Sequence, residues 1–463
     1  MNWPLERIAL RCLLPGFAGT SAPDWVLRKA SEGLGGVVLY GRNVETPEQL
    51  ADLTAALHAA RPGLLIAVDE EGGDVTRLEA RMGSSYPGNL ALGAADDPQL
   101  TFEVAAAMGR DMAQAGIDLD LAPVADVNTN PNNPVIGARS FGSDPALVAH
   151  HTAAWIKGLQ GAGVAACAKH FPGHGDTLLD SHLALPFVTE DPHVRALEPF
   201  RSAIASGVKA IMSAHIVVRS IDDLPATVSR RVMTALLRDE LGFGGLAVTD
   251  GLEMRGLSDG RGVAEGAVLA LIAGCDALCI GGGLAGEDVV EEIVSAIDVA
   301  VRRGRLSEDR LQQAGSRVDA LSEWRRDQPA VQADTTDIGL VAARKAVVHD
   351  GPVRIGDDAE VIQFGSPPSM AAGDVPWGVA AELAARGVRI SSSAPRLVLV
   401  VRDLHRHADQ LQQVEVLLAQ HPDAVLVEMG VPQCRPNSVR AYVATHGSSR
   451  VSAMAAAEVM RPQ

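Results

Sequence analysis

Short apolar runs recur through the first two thirds of the chain, at 8–14, 36–40, 65–69, 117–124, 165–170, 210–216, 246–250 and 277–280. Most are continuous rather than alternating, the pattern of parallel strands buried on both faces. The segments between them are mostly long enough for a crossover helix. One is 47–60, rich in Ala and Leu; another is 145–162, which follows Ser143-Asp144. Eight predicted strands alternating with helices make a (β/α)8 TIM-type barrel. Polar groups support this reading by gathering at the C-terminal ends of the runs: Asp69-Glu70-Glu71-Gly72-Gly73, Asp126-Val127-Asn128, Lys169-His170, His215 and Asp250. That end of such a barrel is where sites are built.

The barrel is expected over 1–325 and a polar linker over 326–337. The pattern restarts at Ile338. Strands are predicted at 361–364, 396–401 and 424–427, and helices at 379–386, 408–419 and 438–445. This reads as a smaller three-layer α/β/α sandwich over 338–463. It carries no GxGxxG fingerprint, so a dinucleotide site has no support.

Composition narrows the function. Hydrophobic residues make up 47% and charged residues 21% of the 463, ordinary values for a globular protein. A formal charge of −17 opposes non-specific binding to nucleic acid. It leaves room for a neutral or modestly anionic ligand in a locally basic pocket. The N-terminus has no basic stretch followed by a long apolar one, and no run is long enough to span a membrane. The five cysteines, Cys12, Cys167, Cys275, Cys279 and Cys434, are odd in number and scattered. Four lie in or beside apolar runs and are expected to be buried free thiols, which fits a cytoplasmic protein.

The densest chemistry is Lys169-His170-Phe171-Pro172-Gly173-His174-Gly175-Asp176-Thr177, followed by Asp180-Ser181-His182. Three histidines and two aspartates suit a metal, although no helical HExxH pair is present. Polar loop residues also commonly satisfy local backbone groups. A third reading is acid/base catalysis. Asp180 and His182, two residues apart, can turn to one side of an extended segment, and a carboxylate beside an imidazole orients it and raises its proton affinity. Spacing leaves these readings open. Asp250 ends an apolar run before Gly251 and could be a nucleophile, a cation ligand or a helix cap. Asp69 with Arg77 could grip sugar hydroxyls or form an internal ion pair. Arg139, near Gly137 and Gly142, could lie on the surface, and His215 in the core.

Taken together, these blocks resemble the family 3 glycoside hydrolases, in their β-N-acetylglucosaminidase branch. The 169–182 loop resembles the family's signature loop. Asp69-Glu70-Glu71-Gly72-Gly73 is similar to the family's Asp-Gln-Glu-Gly-Gly block. Further blocks follow in order: 36–43, 121–127, the Arg139 block, 212–215, 248–254 and 273–276. The resemblance implies a retaining exo-β-N-acetylglucosaminidase acting on muropeptides or chitin-derived oligosaccharides, with no cofactor and no metal. It implies Asp250 as nucleophile, forming a covalent glycosyl-enzyme. It implies His182 as acid/base with Asp180 as its partner, and Asp69, Arg77, Arg139, Lys169 and His170 as sugar-binding residues. His174 and Asp176 then hold the loop's shape. Because a histidine does the acid's work, phosphorolysis stands as an alternative to hydrolysis. A catalytically silent sugar-binding protein and a metal-dependent hydrolase are the other readings. Glu70 departs from the family's common Gln. The second domain resembles a shortened form of the family's own; it is assigned no catalytic residue, and packing on the barrel or homodimerisation are both open to it.

Overall fold

The computed structural model describes residues 4–281, 283, 286–329, 337–366 and 371–462. Eight parallel strands form the first unit: β1 (Leu13–Pro15), β2 (Gly36–Leu39), β3 (Leu65–Val68), β4 (Leu119–Asp120), β5 (Ala165–Phe171), β6 (Ala210–Ser213), β7 (Leu246–Thr249) and β8 (Leu278–Ile280). Strands β2 to β7 pair in chain order. A Val248–Ala277 bridge links β7 to the start of β8, and β8 pairs with β1. On the remaining side, Gly35 N donates to Leu10 O at 3.1 Å. The strands thus close into a (β/α)8 barrel.

The continuous apolar runs follow from burial of both strand faces. Val38, Ala67, Cys167, Met212 and Val248 fill the interior. Their neighbours Val37, Ile66, Ala166, Ile211 and Ala247 pack outward under the helices, as the period of two requires. Helices start on local signals. Thr46 caps Pro47–Ala60 by accepting from Gln49 N, and Asp144 caps Pro145–Gly161 by accepting from Leu147 N. Helix Glu308–Arg326 sends Val318 and Leu321 into the interior cluster. Its Ser322 Oγ bonds Gly63 O at 3.0 Å, just before β3. The barrel is therefore plugged at its N-terminal end, and the C-terminal end is left to the loops.

The first run differs from expectation. Residues Leu5–Arg11 form a helix, and the strand is only Leu13–Pro15. Ile8, Ala9 and Cys12 are buried, and with Leu5 they make an i, i+3, i+4, i+7 face that a run of apolar letters conceals.

The second unit is a six-stranded sheet of β9 (Val348–Asp350), β10 (Asp358–Gln363), β11 (Arg389–Ile390), β12 (Leu397–Val401), β13 (Val425–Glu428) and β14 (Ala441–Ala444). The order is β9-β14-β13-β12-β10-β11, with only the β9–β14 pair antiparallel. Helices Ala380–Ala385 and Arg450–Met460 cover one face, and Ala408–Gln420 the other, a three-layer sandwich. The helix expected at 438–445 is strand β14 instead. Ala441 and Val443 join one core cluster while Tyr442 and Ala444 join the opposite one; a segment buried on both faces of a sheet overrides the helix preference of its alanines. Helix Arg450–Met460 was not anticipated; Ser449 caps it by accepting from Ser452 N.

Most of the expected linker, residues 330–336, lies outside the described residues. Helix Ile338–Ala346 packs on both units. Its Ala346 meets Ala91 and Ala95 of the barrel, and its Leu340 and Ala343 meet Val451 and Ala455 of the sandwich. Asp74, in the loop after β3, accepts from Ser448 N at 2.9 Å and Oγ at 2.6 Å, and pairs with Arg402 at 2.6 Å. Cys12, Cys167, Cys275 and Cys279 are buried, and all five cysteines are free. Among the described residues no helix is long and apolar enough to cross a membrane.

Candidate active site

The loops after β2, β3, β5 and β7 enclose a pocket of about 260 Å³ at the C-terminal mouth. It is lined by Asp69, Arg77, Arg139, Lys169, His170, His182 and Asp250, among others. Asp180, the remaining candidate, lies behind His182. The structure thus brings together residues separated by as many as 181 positions (250 − 69).

The pocket floor is an ion cluster. Lys169, on β5, places Nζ 2.7 Å from both Asp69 Oδ1 and Glu71 Oε1. Arg139 grips Glu71 with Nη2 at 2.7 Å and Nε at 2.9 Å, a bidentate geometry that fixes the guanidinium plane. Burial alone would raise the Glu71 carboxyl; Arg139 and Lys169 outweigh it and hold the group well below the usual range. Burial likewise works against Lys169, yet Asp69 and Glu71 keep its ammonium charged. Two acids and two bases leave the floor near neutral, with its donors aimed and unable to reorient. Arg139 is therefore not a surface residue. Glu71 is missing from the sequence-based candidates, because its importance comes from Arg139, 68 positions away. Arg77 stands at the edge, 3.9 Å from Asp69 Oδ2, and donates to Ala371 O at 2.6 Å and Ala372 O at 3.3 Å.

Glu70 points away from this cluster. It is 4% exposed and accepts from the backbone N–H groups of Arg77 and Leu78. Burial raises its carboxyl to about 7. The folded state therefore keeps a proton that the unfolded chain releases near the ordinary 4.5, and stability falls as pH rises between the two values. Glu70→Gln keeps the accepting oxygen and removes this penalty. The unfolding free energy from urea titration should rise at pH 8, by up to about 3 kcal/mol, and change little at pH 4. An equal shift at both pH values would contradict the buried-acid account.

Asp126 anchors the loop after β5. Wholly buried, it accepts from His170 Nδ1 at 2.7 Å and from His174 N at 2.6 Å. Gly175 lets the loop press against the segment that follows β4: a Cβ there would lie 1.8 Å from Val127 O. His174 sits between Thr177 Oγ1 at 2.8 Å and Ser181 Oγ at 3.0 Å. Burial pulls its pKa to about 4, so it is neutral and holds the loop's shape. Asp176 is a partner of Thr129 at 2.9 Å. The loop's histidines thus go to separate partners, and among the described residues no cluster of three or more metal-ligating side chains forms.

Asp180 Oδ1 accepts from both the backbone N–H of His182 at 2.8 Å and its Nδ1 at 2.7 Å. This fixes the ring and leaves Nε2 as its other nitrogen. Burial lowers the proton affinity of His182, but the Asp180 hydrogen bond and the charges of Asp250 and Asp180 together raise it above the usual 6.5. Asp250 closes β7 and accepts from Gly251 N at 2.8 Å. Burial opposes its charge; the surrounding His215, His170 and His182 reverse this, and the carboxyl drops to about 2. His215 is a buried core histidine between Thr227 Oγ1 at 2.8 Å and Gly251 O at 2.9 Å. The carbonyl makes Nε2 the donor, so the ring ties down the peptide that follows Asp250.

An ionised carboxylate and a carboxylate-backed imidazole at the mouth of a parallel barrel define an enzyme equipped for nucleophilic and acid/base chemistry. The chain belongs to glycosyl hydrolase family 3: residues 23–321 match the family's N-terminal domain. It is 33% identical over 371 residues to beta-hexosaminidase A of Pseudoalteromonas piscicida, an alignment spanning 72% of this chain and 62% of that one. The fold is similar to a family 3 beta-N-acetylglucosaminidase from Paenibacillus sp. str. FPU-7, at a TM-score of 0.90 and 31% identity, over 100% of this chain and 97% of that one. It is also similar to NagZ from Neisseria gonorrhoeae in complex with N-trifluoroacetyl-D-glucosamine, at a TM-score of 0.56 and 29% identity, over 67% of this chain and 98% of that one.

Proposed function

We propose that the protein is a retaining exo-β-N-acetylglucosaminidase. The observation that carries this reading is one pocket lined by both an ionised Asp250 and a His182 backed by Asp180. Asp250 attacks the anomeric carbon while His182 protonates the departing oxygen, giving a glycosyl-aspartate. His182, now neutral, takes a proton from water as that water releases the sugar with the original anomeric configuration. Lys169, His170, Asp69, Arg77 and Arg139 hold the ring from the other side. N-Acetylglucosamine as the bound sugar is supported by the activities named for the relatives. Muropeptide fragments or chitin-derived oligosaccharides are the substrate classes, and the buried thiols fit work in a reducing cytoplasm.

Proton NMR of 4-nitrophenyl N-acetyl-β-glucosaminide turnover tests the reading. The β-anomer of free N-acetylglucosamine should appear first, with or without phosphate. Initial α-anomer would refute the double displacement. A sugar 1-phosphate formed only with phosphate present would move the reading to phosphorolysis. Activity lost on exhaustive chelation and restored by metal would favour a metal-dependent hydrolase.

A further inference from the structure

A short hairpin joins the pocket floor to Arg77, and the second unit holds its tip. Glu71 N donates to Val75 O at 2.9 Å, and Gly72 bridges Val75. The turn between them uses two consecutive left-handed residues, Gly72 and Gly73, with φ of 71° and 61°. A Cβ on Gly73 would lie 2.6 Å from Gly88 Cα, so the turn lies hard against that segment. Asp69 and Glu71 stand on one arm. Val75, which lines the pocket, stands on the other arm, which leads to Arg77. Asp74 is the tip between them.

Asp74 leaves the barrel and enters the edge of the second sheet. Its Oδ1 accepts from Ser448 N at 2.9 Å and Ser448 Oγ at 2.6 Å, and its Oδ2 from Arg402 Nη2 at 2.6 Å. Arg402 directly follows β12, and Ser448 lies beyond β14. Between these strands β13 ends in Glu428, whose carboxyl group accepts from the backbone N–H groups of Asp403, Leu404 and Gly430. That stiffens the turn carrying Arg402. Ser449 caps helix Arg450–Met460, which puts the positive end of the helix dipole beside Asp74. The C-terminal edge of parallel strands is where such sheets receive ligands. Here a carboxylate of the same chain takes that place.

The Asp74 and Arg402 side chains are only 9% and 15% exposed. A pair so shielded is weakly screened by salt, and removing one partner strands the charge of the other. We infer that Asp74 is a positioning residue. Gripped by Arg402 and Ser448, it sets where the hairpin places Asp69, Glu71 and Arg77, and so fixes the sugar-binding side of a pocket that it does not itself line. This rests on the glycosidase reading for the identity of the sugar, and deepens it by giving the second unit a part in holding that sugar.

Calorimetric titration with N-acetylglucosamine, alongside kinetics on 4-nitrophenyl N-acetyl-β-glucosaminide, tests this in the full chain. The variants are Asp74→Asn, Arg402→Gln and the two combined. Each single substitution should raise Kd and KM about tenfold, less than the roughly hundredfold that a misplacement of about 1 Å can cost. Turnover should stay within about threefold, as when binding is lost equally from ground and transition states. The double variant should be no worse than the single ones, because all three break one latch. Leu418→Ala is the control. It opens a cavity at the far end of helix Ala408–Gln420, and should lower the unfolding temperature with Kd unchanged. Circular dichroism checks that each variant is folded, and Arg402→Gln carries the test if Asp74→Asn is not. Kd within about twofold of native in the folded single variants overturns the inference. So does an equal rise in Leu418→Ala, or a double variant worse by the product of the two. Native protein that binds N-acetylglucosamine but hydrolyses nothing removes the glycosidase reading instead, and leaves the binding comparison to decide the role of Asp74.

Discussion

Asp250→Ala should lower turnover of 4-nitrophenyl N-acetyl-β-glucosaminide by on the order of 10⁴-fold or more, the range seen when a covalent nucleophile is deleted. The carboxylate sits at the end of β7 with a pKa of about 2, so it is ionised at every working pH. Removing it empties the position that the proposed mechanism sets against the anomeric carbon and leaves β7, whose Val248 and Thr249 are wholly buried, in place. Added azide distinguishes a nucleophile from a structural acid. A small anion filling the gap would attack where the carboxylate did and give the α-glycosyl azide, with nitrophenolate leaving. Near-normal activity in the variant, or loss with no azide product in a protein that still binds N-acetylglucosamine, would remove Asp250 from that role.

His182→Ala carries the second large effect, and it depends on the leaving group. A natural sugar alcohol needs a proton as it departs, so loss of the acid should cost about 10²–10⁴-fold. Nitrophenolate leaves readily without one, and formation of the glycosyl-enzyme from the aryl substrate should fall by less than about tenfold. Equal losses on both substrates would argue against the acid role. The pH profile follows the same logic. Because the folded protein holds the His182 pKa above 6.5, kcat/KM for a natural disaccharide should stay high below that value. It should fall as pH rises through the raised pKa and the imidazolium is lost. Asp180→Asn removes part of the cause and should shift this alkaline limb to lower pH. An unmoved limb would show that another group sets it.

The barrel was legible because its strands are buried on both faces, which leaves an unambiguous trace in apolar runs. The two misread segments share one cause. In 8–14 and 438–445 a short apolar stretch fits either period, and the choice is made by what it packs against: the helix face of Ile8 and Cys12 in one case, the two sheet faces around Tyr442 in the other. At the site, strand-end residues such as Asp69, Lys169 and Asp250 were visible from position, and His182 from its spacing to Asp180. Their roles came from the family resemblance. Glu71 and Asp126 were quoted at strand ends but given no part. Their partners, Arg139 and His170, lie 68 and 44 positions away, and no local pattern announces such a pair.

The main-chain clamp on Arg77 divides labour between the two halves of the chain. Asp250, His182 and Asp180 all belong to the barrel, and the NagZ structure matches about the barrel's share of this chain while being nearly fully covered itself. The grip on Arg77 comes instead from carbonyls at 371–372, beyond the barrel. Because the acceptors are main-chain carbonyls, substitutions at 371–372 that keep the backbone path preserve the clamp. At this clamp, under the proposed sugar-binding role of Arg77, the second unit acts on the pocket through the course of its backbone.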